Sequence, residues 1–81
     1  TQWVVYIIKC NDNSLYTGIT NDLPTRLAAH WAGTGAKYTR GRGPLHLVFQ
    51  EQALDRRAAA RREREIKALG VRAKRRLIAT Q

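Results

Sequence analysis

The first nineteen residues alternate between two extended runs and one dense turn. Residues 3–9 (Trp-Val-Val-Tyr-Ile-Ile-Lys) are β-branched and aromatic without polar interruption, the pattern of a strand buried on both faces. Asn11-Asp12-Asn13-Ser14 is turn chemistry, and Leu15 to Ile19 resumes the extended pattern, so residues 3–19 predict a β-hairpin. Thr20, Asn21 and Asp22 can each cap a helix, and Pro24 suits a first helical turn. A helix is predicted from there to about Ala32, with Leu23, Leu27, Ala28, Trp31 and Ala32 on one side.

Gly33 to Pro44 then reads as a flexible basic loop, and Leu45 to Glu51 as a third strand. A second helix, capped around Leu54 or Asp55, is predicted to end near Leu69 with Gly70 as its stop; Val71 to Ala79 makes a short third helix. No internal repeat and no linker interrupts the chain. The expectation is one α+β domain over residues 1–81, ordered β-β-α-β-α-α, with helices packed on a small antiparallel or mixed three-stranded sheet.

Several polar residues sit awkwardly in this pattern. On the second helix Ala59, Ile66 and Leu69 should face the core, and Glu63 falls on or beside that stripe. A carboxylate there is costly unless it is paired or holds a cation. A salt bridge to a nearby arginine would also satisfy it, and Glu65 would take its place in a shifted register. Arg26 and His30 stand four apart on the first helix and project side by side. An arginine can clamp a phosphate, and a neutral histidine can accept a proton at physiological pH. The bland alternative is a solvated pair on a helix surface.

Tyr6 and Tyr16 lie in the two hairpin strands, where core aromatics are the ordinary reading. Residues paired across a hairpin share a face and their numbers add to a constant. The two tyrosines therefore share a face only if the turn holds an odd number of residues, such as three or five.

Charge changes the picture. Fifteen basic residues against six acidic ones give a formal +9 in 81 residues. Self-repulsion on that scale destabilises the fold, and a polyanion offsets it, so nucleic acid is the expected partner. Ten of the fifteen lie between Arg56 and Arg76, among them Arg61, Arg62 and Lys67, while Lys37, Arg40 and Arg42 belong to the glycine-rich loop. These six are the candidate phosphate contacts. The single Cys10 forms no internal disulfide, and no Cys/His cluster has zinc-like spacing. No apolar run reaches the ~18–20 residues of a membrane span and no signal-peptide pattern opens the chain, so a reducing, cytoplasmic-type compartment is expected.

Taken in order, these residues resemble the GIY-YIG nuclease family. Its first motif corresponds to Val4-Val5-Tyr6 and its second to Tyr16-Thr17-Gly18, followed by Arg26 and His30 on one helix and Glu63 on the next. The segments Leu15-Tyr16-Thr17-Gly18-Ile19-Thr20 and Gly35-Ala36-Lys37-Tyr38-Thr39 are similar to the small stand-alone bacterial YhbQ-like group. Valines replace Gly and Ile of the first motif, and Thr17 replaces Ile of the second; both tyrosines and Gly18 remain. The resemblance covers almost the whole chain and favours Glu63 over Glu65 as the acidic residue.

The resemblance implies a metal-dependent endonuclease acting on DNA ahead of RNA, on structured or single-stranded DNA, in DNA repair or processing. It implies that Glu63 holds one divalent cation, Mg²⁺ or Mn²⁺ in its place, that Arg26 stabilises phosphate oxygens, and that Tyr6 or Tyr16 activates water. His30 is then proton acceptor or orienting partner, and a nearby cation must favour ionised tyrosine. A non-catalytic basic nucleic-acid-binding module on the same fold is the competing expectation.

Overall fold

The computed structural model describes residues 2–35 and 39–80. Its elements are β1 (Trp3–Lys9), β2 (Leu15–Thr20), α1 (Leu23–Trp31), β3 (His46–Ala53), α2 (Arg56–Lys67) and α3 (Val71–Ala79), the predicted order. The sheet runs β2-β1-β3, and both pairings are antiparallel. The most apolar strand, β1, is central, which explains why Val5, Tyr6, Ile7 and Ile8 are all buried. The β1–β3 register shifts between Ile7 and Ile8: Ile7 faces Phe49 whereas Ile8 faces Leu47. Val48 is the extra residue of a bulge there.

Two cores lie on opposite faces of this sheet. Val5, Ile7 and Phe49 pack with Ala59 and Ile66 of α2, joined by Leu77 and Ile78 of α3. Tyr6 and Ile8 point the other way and pack with Cys10, Leu45 and the α1 residues Leu23 and Leu27. The sheet is thus sandwiched, and β2 forms one of its edges. Among the described residues no helix is long and apolar enough to cross a membrane.

Local chemistry sets the helix ends. Asp22 caps α1, accepting from the Thr25 amide at 3.3 Å and the Thr25 hydroxyl at 2.8 Å. Thr20 remains in β2 and instead accepts from the Asp22 amide at 3.0 Å. Asp55 caps α2 through the Ala58 amide at 2.8 Å.

Three expectations need correction. Trp31 is 60% exposed at the end of α1, its indole N–H donating to the Leu45 carbonyl at 3.1 Å, so it edges the core rather than joining it. Leu69 lies past the end of α2, at 37% exposure, and lines a shallow apolar groove with Ala73 and Leu77 of α3. Gly70 has φ −70° and ψ 167°, so it starts α3 in extended backbone and does not stop α2 by a left-handed turn.

The loop after α1 is more tied down than its composition suggests. Thr39 is buried, the Arg42 carbonyl accepts from the Asn11 amide at 2.8 Å, and the Arg42 guanidinium pairs with Asp12 on the hairpin turn.

Candidate active site

The hairpin register passes the parity test. Five residues, 10–14, separate the paired Lys9 and Leu15, so Tyr6 faces Gly18 and Ile8 faces Tyr16. Tyr6 and Tyr16 therefore share the α1 face of the sheet. The Tyr6 ring lies across Gly18, where an added Cβ would stand 2.6 Å from the hydroxyl oxygen and 2.8 Å from Cζ. Only glycine leaves the ring that room.

α1 brings its polar pair to the same place. His30 completes a triangle of rings, with centroids 5.9 Å from Tyr6 and 5.4 Å from Tyr16, the tyrosines being 6.3 Å apart. The Tyr6 hydroxyl lies 2.9 Å from His30 Nε2, and His30 Nδ1 lies 2.8 Å from the Thr39 hydroxyl. Tyr6, His30 and Thr39 are all buried, at 0%, 2% and 2% exposure, so this chain of hydrogen bonds is shielded from water. Arg26, one helical turn before His30, brings its guanidinium close enough to interact with both tyrosines.

The electrostatics follow from burial and from Arg26. Burial raises the pKa of Tyr6; the hydrogen bond from Arg26 works against that rise, and the charge of Glu63 adds to it. The net direction is upward, so in the free protein the cation beside Tyr6 does not by itself favour phenolate. Burial, followed by the Arg26 charge, lowers the pKa of His30 and keeps its imidazole neutral near pH 7.

Glu63 approaches from the other side of the sheet. It lies on the flank of α2, half-buried, and its Oε2 pairs with Lys67 at 3.3 Å. α2 packs over β2, the edge strand, and the Glu63 charge is felt at Tyr6. Glu63 thus stands on the opposite face of the sheet from Arg26 and the three rings, with its charge reaching Tyr6.

Among the described residues no group of three or more His, Cys, Asp or Glu side chains could hold a metal. A lone carboxylate, partly open to solvent, suits Mg²⁺, which keeps several waters and is held by one or two carboxylates plus substrate phosphate. It does not suit a closed zinc or calcium cage.

The candidate phosphate contacts divide. Arg42 is paired with Asp12, Arg62 with Glu51 at 2.9 Å and Glu65 at 3.2 Å, and Lys67 with Glu63. Arg40 and Arg61 are exposed, and Lys37 lies outside the described residues. The sequence reading missed Thr39 and Gly35 as neighbours of His30. A Cβ on Gly35 would lie 2.6 Å from His30 Nδ1. Their segment was visible only as part of a motif, because contact across the loop has no periodic signature. Thr17, in the second motif, carries a buried hydroxyl with no hydrogen-bond partner among the described residues.

Comparison with known proteins agrees with this architecture. Residues 2–76 match the family model described as the GIY-YIG catalytic domain. The UPF0213 protein YhbQ of Escherichia coli is 48% identical over 79 residues, covering 98% of this chain and 79% of YhbQ. A UPF0213 protein of Staphylococcus haemolyticus is 57% identical over 63 residues, covering 78% of this chain and 77% of its own. The solution NMR structure of a UPF0213 protein from Bacillus halodurans superposes with a TM-score of 0.66 at 43% identity, covering 100% of this chain and 86% of that one. With residues 2–76 matching that model and relatives of this identity and coverage, the chain belongs to the GIY-YIG catalytic domain family, a family of nuclease type.

Proposed function

We propose that this protein is a metal-dependent endonuclease that hydrolyses phosphodiester bonds in DNA, acting as a single catalytic domain. The observation that carries the reading is the convergence of Tyr6, Tyr16, Arg26 and His30, within electrostatic reach of Glu63, at one edge of the sheet. Five polar or aromatic residues from four elements, β1, β2, α1 and α2, have no packing reason to gather there.

Glu63 would hold the divalent cation, which would supply Lewis-acid polarisation of the phosphate and stabilisation of the leaving oxygen. Lys67 already neutralises Glu63 in the free protein and can move to a phosphate once that carboxylate is otherwise engaged. Arg26 has five N–H donors and is permanently charged, so it can serve phosphate oxygens as well as the tyrosines. Tyr6 is the tyrosine whose proton has an acceptor in place, the neutral His30 at 2.9 Å. As Arg26 turns towards a phosphate it uncovers the Tyr6 hydroxyl, which takes a proton from the attacking water and passes its own to His30 Nε2. The products carry a 5′-phosphate and a 3′-hydroxyl.

The test is cleavage of plain, nicked, branched and single-stranded DNA with and without Mg²⁺ or Mn²⁺. Cation-dependent cleavage that disappears in both Glu63→Gln and Arg26→Ala supports the reading. DNA binding without cleavage of any substrate by the native protein overturns it in favour of a non-catalytic module. Salt sensitivity of binding does not separate the two, since phosphate contacts release counterions in either case.

A further inference from the structure

We infer that Thr39 is a positioning residue for His30: its hydroxyl accepts the Nδ1 proton and so leaves the Nε2 lone pair facing the Tyr6 hydroxyl. The inference rests on the nuclease reading only for its consequence in cleavage; its structural content stands on the hydrogen bonds themselves.

The direction of each bond follows from the donor inventory. Arg26 has donors only, so it offers the Tyr6 hydroxyl no acceptor. The Tyr6 hydroxyl is itself fully buried, and its own proton needs an acceptor. Among the described residues the acceptor in reach is His30 Nε2, at 2.9 Å. A neutral imidazole that accepts at Nε2 carries its proton at Nδ1. The group facing Nδ1 is the Thr39 hydroxyl oxygen, at 2.8 Å. Both bonds in Tyr6–His30–Thr39 then run one way, and each imidazole nitrogen has a partner of the required sense.

The surroundings suit a fixed ring. A Cβ on Gly35 would stand 2.6 Å from Nδ1 and 3.0 Å from the His30 Cα, so the chain passes against the imidazole on the side where Thr39 bonds. Thr39 itself is 2% exposed, so water does not substitute freely for its hydroxyl. A ring held at both nitrogens cannot flip without breaking two buried hydrogen bonds. An imidazole in the opposite tautomer would present N–H to Tyr6 and could not take its proton.

The experiment is long-range ¹⁵N–¹H NMR of the imidazole nitrogens in the full chain, with His46→Gln used to assign His30. The native protein and Thr39→Ser should show a protonated Nδ1 and a bare Nε2. Thr39→Val, with no oxygen to accept, should shift His30 towards the Nε2–H tautomer while its amide spectrum stays native. If Thr39→Val does not fold, the native and Thr39→Ser spectra still decide the tautomer. A protonated Nε2 in the native protein, or a Thr39→Val tautomer unchanged from native, overturns the inference whatever the protein cleaves. Where the native protein cleaves DNA, Thr39→Val should lose about 10²-fold or more of its rate, within the ~10²–10⁴ that general base catalysis supplies, and Thr39→Ser should retain it. Equal cleavage by native protein and Thr39→Val would also overturn the positioning role. If the NMR result holds and no substrate is cleaved, the nuclease reading falls and the tautomer assignment stands.

Discussion

Gly18→Ala tests the packing on which the whole cluster depends. The new Cβ would sit 2.6 Å from the Tyr6 oxygen, 2.8 Å from Cζ and 3.1 Å from Cε2 of Tyr16, where ordinary contact begins near 3.4 Å. The Tyr6 ring must therefore retreat by about 0.8 Å, the gap between those values. It is fully buried, and its hydroxyl is bonded to His30. Overpacking of this kind costs ~1–3 kcal/mol, and a strained or lost hydrogen bond adds ~0.5–1.5. Replacing glycine in a strand returns ~0.5–1 kcal/mol of backbone entropy, which leaves a net destabilisation centred on about 2 kcal/mol within a range of about 0.5–4. In a domain of this size each kcal/mol moves Tm by ~4–8 °C, so thermal unfolding should shift down by several degrees. Gly70→Ala is the control, since a Cβ there meets nothing within 4 Å. Circular dichroism melts of the two variants, run with His30 NMR spectra, decide the matter. A Gly18→Ala protein with native Tm and native His30 shifts would refute the account of why this glycine is required.

Three further outcomes follow from other features. Thr17→Val removes a buried hydroxyl that has no partner among the described residues, so urea unfolding should show it to be more stable by ~1 kcal/mol; a loss of stability would mean the hydroxyl is satisfied after all. His30 has a folded pKa below its unfolded value of 6.5, so the unfolded chain takes up the proton first as pH falls. Its contribution to stability is complete above about pH 6.5 and declines as pH drops towards the depressed folded value, so Tm should fall between pH 7 and 5 and His30→Gln should flatten that slope. Arg61 is exposed on the outer side of α2, and Arg61→Ala should weaken binding to duplex DNA evenly across sequences. If it contacts one phosphate, the slope of log binding constant against log salt becomes shallower by about 0.9; an unchanged slope removes it from the interface.

The order and type of every element were legible in the chain because each depends on local pattern: β-branched runs, turn chemistry, capping aspartates and helical spacing. The +9 charge and the order of tyrosines, arginine, histidine and glutamate were equally local, and they carried the family. What the chain alone left open was settled by long-range packing. Turn length sets tyrosine parity, but only the folded hairpin showed five residues between the paired Lys9 and Leu15. Trp31 and Leu69 matched an apolar period yet lie exposed at or just past the ends of their helices. Thr39 and Gly35 reach His30 from a loop with no periodicity, so nothing in their spacing announces the contact. The ionisation of Tyr6 was likewise a tertiary matter: sequence placed a cation nearby, but the depth of burial, which outweighs that cation, exists only once α1 closes over the sheet.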